Sequence, residues 1–259
     1  QRTKTLRNIF NTSQNSIDEQ REPKPDISKV LIQEKHAYNL YLILTCIGIG
    51  TGFWLANRIG HPGLAAVFII ISGLLYSYAV YLKSILLVGN LVIASLVATA
   101  LLVLIIFDIY PAIDTDEMDL QVAATTIILG YAASAFYLNM LREIVKDLQD
   151  INGDKNGGRT TLPIALGRTR TTTIAFVMGV FALVALLWYS YAYLYSYQIA
   201  AFYFVFILGS PLLYFCIKAW NAKNNKDYKS LSWILKIVML VGVCSLFFYS
   251  EILSNAYAM

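Results

Sequence analysis

Four carboxylates stand at spacings that put them on one side of a helix. They are Glu143, Asp147, Asp150 and Asp154, in the run Asn139-Met-Leu-Arg142-Glu143-Ile-Val-Lys146-Asp147-Leu-Gln-Asp150-Ile-Asn-Gly-Asp154-Lys155. Offsets of 4, 7 and 11 residues, at about 3.6 residues per turn, gather them in a stripe roughly 60° wide that Asn139 extends. Like charges three and four residues apart disfavour an isolated helix by about 0.2–0.5 kcal/mol per pair, so the stripe needs compensation. Divalent cations would supply it: hard oxygen ligands on one face suit Mg²⁺, which is held by one or two carboxylates plus substrate phosphates and retained waters. A diphosphate substrate is the expectation. The bland alternative is a solvated acidic face balanced by Arg142 and Lys146. Location argues against it, because the stripe continues directly from an apolar helix of about 20 residues and opens toward a cavity. Downstream, Gly157-Gly158-Arg159-Thr160-Thr161-Leu162-Pro163-Ile164 is turn-rich and could fold over bound phosphate through backbone N–H groups.

The elements that would position these residues are membrane spans. Of 259 residues, 58% are hydrophobic and 14% charged, well below the roughly 25% charged residues of a soluble domain. Seven stretches reach the ~20 apolar residues that cross a hydrocarbon core of about 30 Å; they fall at 37–57, 64–82, 85–107, 120–141, 172–195, 198–218 and 232–252. The chain therefore reads as all-α, a multi-pass transmembrane helical bundle, with a polar N-terminal segment 1–36 and a membrane domain 37–259. With the N-terminus cytoplasmic, that face takes 19 of the 20 lysines and arginines, all but Arg58. The opposite side takes the C-terminus, the acidic group Asp108, Asp114, Asp116, Glu117 and Asp119, and a tyrosine cluster from Tyr189 to Tyr197 suited to an aromatic belt. The polar start lacks the pattern of a removable signal peptide. Pro211 should interrupt the sixth span.

The run from Arg142 through Asp147, Asp150 and Gly153-Asp154-Lys155 to Thr161-Leu162-Pro163-Ile164 resembles the second aspartate-rich motif of the UbiA-type intramembrane prenyltransferases. Its Arg-Glu-x-x-Lys-Asp form is most similar to the branch that includes digeranylgeranylglyceryl-phosphate synthase. Tyr81-Leu-Lys83 with Gly89-Asn90 is similar to another recurring element of that family. The resemblance implies a nine-helix fold, of which this chain would lack the first two helices while keeping the others in their orientation. It also implies a lateral chamber for lipid and transfer of a prenyl group from an allylic diphosphate, such as geranylgeranyl diphosphate, to a lipid or aromatic acceptor, with a glycerol-phosphate lipid as one candidate.

In the roles implied by that resemblance, Mg²⁺ is held by Asp147, Asp150 and Asp154, with Glu143 a further ligand or an orienter. Asp18 stands for the first motif, which is degenerate: its other candidate positions read Asn11, Asn15, Glu19 and Glu22, and Gln14 falls where the family has its first Asp. Asn139, Arg142, Lys146, Lys83, Asn90 and Lys155 are the substrate-binding set. Tyr76, Tyr78, Tyr81 and Tyr137 are aromatic candidates to face an allylic cation. Partners expected are prenyl diphosphate, the acceptor and the bilayer, with no nucleic acid. Two rival readings stay open. One is an inactive prenyl-lipid-binding or scaffold relative, favoured by the amides in the first motif. The other is a transporter, disfavoured because charges cluster at a helix end rather than within the spans.

Overall fold

The structure, a computed structural model, describes residues 34–249 apart from Thr115. It divides into two compact units, residues 1–50 and residues 51–259. Described residues of the first belong to the N-terminal part of α1 (Glu34–Arg58). The second unit holds the end of α1 and then α2 (Ala65–Val80), α3 (Val88–Leu104), α4 (Met118–Gln149), α5 (Ile151–Asn156), α6 (Leu162–Leu166), α7 (Arg168–Leu194), α8 (Gln198–Phe202), α9 (Gly209–Asn221) and α10 (Asn225–Cys244). Among the described residues no strand occurs, and seven helices are long and apolar enough to cross a membrane. Helices satisfy their own backbone polar groups, which hydrocarbon cannot do.

Two π turns interrupt the spans. Ile105–Ile109 prolongs α3, and Tyr203–Leu208 joins α8 to α9. The second lies immediately before Pro211, whose missing N–H and ring break the regular ladder. The last span starts earlier than the apolar count suggests. Asp227 Oδ2 accepts the Lys223 and Asn224 backbone N–H groups at 3.1 and 3.0 Å, so α10 begins at Asn225 with polar turns ahead of its apolar stretch.

The helix that matters most is α4. Its 32 residues extend about 48 Å at 1.5 Å per residue, well beyond a core of about 30 Å. The extra turns are held by burial. Leu141, Ile144, Val145 and Leu148 recur at helical spacing and are all 2% exposed or less. They share a core with Leu162 of α6, Phe215 and Ala219 of α9, and Leu231 and Leu235 of α10. On the helical wheel this stripe lies about 150° from Glu143, Asp147 and Asp150, so one face of the last turns anchors the helix and the other is free for chemistry.

Apolar spans also carry hydroxyls that need partners. Tyr131 bonds Ser245 and Tyr189 bonds Tyr249. Tyr203 and Tyr137 donate to the carbonyls of Val241 and Met178, each at 2.9 Å. These bonds tie α4 to α7, and tie both of them and the Tyr203–Leu208 turn to the last span, Asn225–Tyr249, across the apolar layer, where an unpaired hydroxyl is costly. They also remove Tyr189 from the expected aromatic belt: it faces Tyr249, whereas Tyr191, Tyr193 and Tyr195 are exposed.

Close approach of α7 to α9 rests on Gly179, where an added Cβ would stand 2.6 Å from Phe215 Cε1 and 3.3 Å from Cys216 Sγ. Phe215 is fully buried and has no room to retreat. Gly179→Ala is therefore expected to destabilise the protein by about 1–3 kcal/mol, seen as a lower thermal unfolding midpoint in detergent. Gly73→Ala, with nothing within 4 Å of the new methyl, should leave that midpoint unchanged or raise it.

Candidate functional site

Three segments of the second unit meet at the end of α4. The first is the turn between α2 and α3, with Lys83 in a 3₁₀ turn Leu82–Ser84. Leu87 enters α3 in the left-handed region at φ 61°, a conformation that costs a non-glycine residue about 1–2 kcal/mol. Two residues on, Gly89 lets α3 pass under the turn: a Cβ there would sit 3.1 Å from Leu82 O and 3.2 Å from Lys83 Cα. This approach brings Asn90 to α4, where its Nδ2 donates to Asp147 Oδ2 at 2.8 Å. The second segment is α4 itself running into α5. The third is the turn after α5, whose Thr160 N–H donates to Ser84 O at 3.2 Å and so fastens it to the Lys83 turn.

Between them lies a polar recess of about 90 Å³. Its charged lining suits a phosphate group and not a prenyl chain. Glu143, Asp147, Asp150 and Asp154 line it together with Lys83, Lys146 and Arg159.

The carboxylates are not equivalent. Glu143 is buried and already engaged, accepting from Lys146 Nζ at 2.9 and 3.0 Å and from Arg142 Nη1 at 3.2 Å. Buried carboxylates are retained when they are paired in this way. Asp154, also buried, accepts from Arg159 Nη1 at 3.0 Å. Asp147 has only the neutral Asn90 amide. Among the described residues, Asp147 and Asp150 form no ion pair.

The single straight stripe expected over 143–154 is broken. Helix α4 ends at Gln149, Asp150 adopts φ −103° and ψ 16°, and Asp154 belongs to α5. The break comes just before Asn152-Gly153, residues of low helix propensity. Among the described residues no three carboxylates or other metal-binding side chains converge on one point, so a shared chelate of Asp147, Asp150 and Asp154 is not assembled by the protein alone. The donor set fits Mg²⁺ in a narrower form. Asp147 and Asp150 offer oxygens free of cationic partners, and this ion is commonly completed by substrate phosphates and water.

The other expected residues divide. Lys83, Asn90 and Lys146 line the recess; Asn139, Arg142 and Lys155 do not. Asn139 is buried and donates to its own helix at Ala135 O, 2.9 Å away. Asp18 lies outside the described residues. Of the aromatic candidates, Tyr78 lines the recess, Tyr76 and Tyr81 are exposed, and Tyr137 is tied to Met178. Absent from the expected binding set but present in the recess are Arg159, Thr160 and Thr161. Their signal was the Gly-Gly-Arg-Thr-Thr run, read as a source of backbone donors. Four of its five N–H groups are instead given to backbone carbonyls: Gly157 to Gly153 O, Gly158 to Lys155 O, Arg159 to Asp154 O and Thr160 to Ser84 O.

Residues 15–251 match the model of the UbiA prenyltransferase family. This chain belongs to that family. Similar curated proteins include the digeranylgeranylglyceryl phosphate synthase of Methanosphaera stadtmanae, 28% identical over 232 residues, a match covering 88% of this chain and 76% of that protein. The synthases of Pyrococcus horikoshii and Pyrococcus furiosus are 31% and 32% identical, over 65% of this chain and 54% of each relative. The chain thus spans about half the length of the two Pyrococcus relatives. A solved structure of digeranylgeranylglyceryl phosphate synthase is similar in fold, with a TM-score of 0.52 and 21% identity over 89% of this chain and 75% of that one. The family assignment and the seven apolar helices together make this an all-α, multi-pass membrane protein of the UbiA fold.

The Asn90–Asp147 bond generates a test. Residues that orient a metal-binding carboxylate typically contribute 10–100-fold to metal affinity. Asn90→Leu should weaken Mg²⁺-dependent pyrophosphate binding by about that factor, read by calorimetry on the detergent-solubilised protein.

Proposed function

We propose that this protein is a Mg²⁺-dependent prenyltransferase that moves a prenyl group, of geranylgeranyl type, from its diphosphate to a lipid bearing a glycerol-phosphate headgroup. The observation that carries this reading is the recess itself: two carboxylates without cationic partners, Asp147 and Asp150, beside three cationic side chains, at the end of an apolar helix. The relatives' names support the choice of prenyl group and acceptor.

Asp147 and Asp150 would hold the metal, which on binding neutralises charge on the leaving diphosphate. Lys83 and Lys146 supply fixed positive charge where negative charge develops as the C–O bond of the donor breaks. The diphosphate departs with the bonding electron pair, the allylic carbon bonds to the acceptor oxygen, and that oxygen loses its proton. Asn90 keeps Asp147 oriented. Glu143, saturated by Lys146 and Arg142, acts as an orienter of those cations rather than as a metal ligand. Tyr78 is the tyrosine of the recess lining. The prenyl chain, excluded from the recess by its charged lining, lies along the apolar helices. The bias of positive residues supports a cytoplasmic side of the cell membrane for the recess.

The test is transfer of labelled geranylgeranyl diphosphate to a glycerol-phosphate lipid by the purified protein. Activity should vanish with EDTA and return with Mg²⁺, and Asp147→Asn and Asp150→Asn should each lower it by about 10²-fold or more. Pyrophosphate binding that needs Mg²⁺, without any turnover, would instead indicate the inactive lipid-binding relative. Absence of both would reject the reading.

A further inference from the structure

The turn after α5 gives the N–H groups of residues 157–160 to backbone carbonyls, and it leaves two side chains in the recess whose bonding capacity is not exhausted. Arg159 reaches Asp154 through one guanidinium nitrogen, Nη1, at 3.0 Å, and its flat fork carries five N–H donors. Thr161 is 8% exposed, and its Oγ1 is buried without a hydrogen-bond partner in the structure. That is unusual in two respects. Buried hydroxyls are nearly always paired. Moreover, Thr161 stands immediately before α6, the position where a threonine hydroxyl normally bonds the backbone of its own helix, and here it makes no such bond. The segment is held firmly on both sides of Arg159, by Arg159 N–H to Asp154 O at 3.0 Å and Thr160 N–H to Ser84 O at 3.2 Å. The two side chains are therefore presented on a fixed edge of the recess.

We infer that Arg159 and Thr161 are phosphate-binding residues, the guanidinium giving a two-pronged contact and the hydroxyl a further donor, brought to the recess by rotation about its χ1 bond. The inference rests on the function proposed above and assigns to this turn a side-chain role in place of the backbone cradle that its glycines suggest. Phosphate oxygens are the shared chemistry of the prenyl diphosphate and of the acceptor headgroup, and the fork geometry suits either.

Binding of Mg²⁺–pyrophosphate and of glycerol 1-phosphate to the full chain in detergent, followed by calorimetry, separates these sources. Thr161→Val keeps the volume and removes the hydroxyl, and Thr161→Ser restores it. Arg159→Lys keeps the charge and its pairing with Asp154 but loses the fork. Expected are roughly tenfold or greater losses of affinity for Thr161→Val and Arg159→Lys, near-normal affinity for Thr161→Ser, and a ligand-free unfolding midpoint for Thr161→Val no lower than that of the parent. Loss confined to pyrophosphate assigns the pair to the donor, and loss confined to glycerol phosphate assigns it to the acceptor; either supports the inference. Parent binding that survives unchanged in Thr161→Val and Arg159→Lys overturns it and leaves the proposed function standing. A parent that binds neither ligand overturns both. Should Thr161→Val not fold, Thr161→Ala takes its place, and failure of both to fold shows a structural hydroxyl and overturns the assignment of Thr161.

Discussion

Negative charge cannot be left in hydrocarbon, and the site depends on how α4 (Met118–Gln149) meets that constraint. The helix crosses the apolar layer and then continues for further turns, in which Leu141, Ile144, Val145 and Leu148 are buried against α6, α9 and α10. Without that second anchorage, the segment bearing Glu143 and Asp147 would be a free helix end burdened by like charges, and short unsupported helices are marginal in water. The apolar stripe therefore does more than stabilise. It fixes the azimuth at which the carboxylates leave the helix, and so decides that they meet the turn after α2.

The opposite wall of the recess is assembled with comparable economy of means. Gly89 allows α3 to approach the backbone of Leu82 and Lys83, and the same approach carries Asn90 to Asp147. The hydrogen bond from Thr160 to Ser84 joins the two loops that frame the recess. The Asn90–Asp147 and Thr160–Ser84 bonds are local in space and distant in sequence, which explains how a site this small draws on helices α2 to α5 at once.

Much of this was legible in the sequence, and what was not has physical reasons. All seven spans follow from apolar length alone because a continuous run of about 20 apolar residues has the length of a membrane-crossing helix, whereas a barrel strand needs only about 9–11. Their ends were less legible: α4 outran its apolar stretch by eight residues and α10 began early at the Asp227 cap, since these ends are set by tertiary burial and side-chain caps rather than by hydropathy. The carboxylate stripe was visible as a spacing, and Asp147, Asp150, Asp154 and Glu143 do reach one recess. Spacing could not show that Glu143 and Asp154 are paired to cations, that Asn139 turns back on its own helix, or that Asp147 is met by Asn90 from 57 residues away. Those facts depend on which helix faces which. Glycines at 157 and 158 suggested free backbone donors, but whether an N–H is free is decided by the carbonyls that fold back on it.

The pairing within the recess bears on how two ions could enter it. Four carboxylates and three cationic side chains line the same small space, and four of those seven charges, Glu143, Lys146, Asp154 and Arg159, are already bonded to each other, Glu143 also to Arg142. Such a lining is close to balanced, so it exerts little net field on a lone divalent cation or on a lone polyanion. Each ion becomes welcome once the other has supplied the opposite charge. In the language of linked equilibria, a metal and a diphosphate bound together there would be mutual effectors, and the free energy by which one tightened the other would be the same in both directions. A near-neutral wall of this kind would act as a coincidence detector, favouring the pair over either member alone.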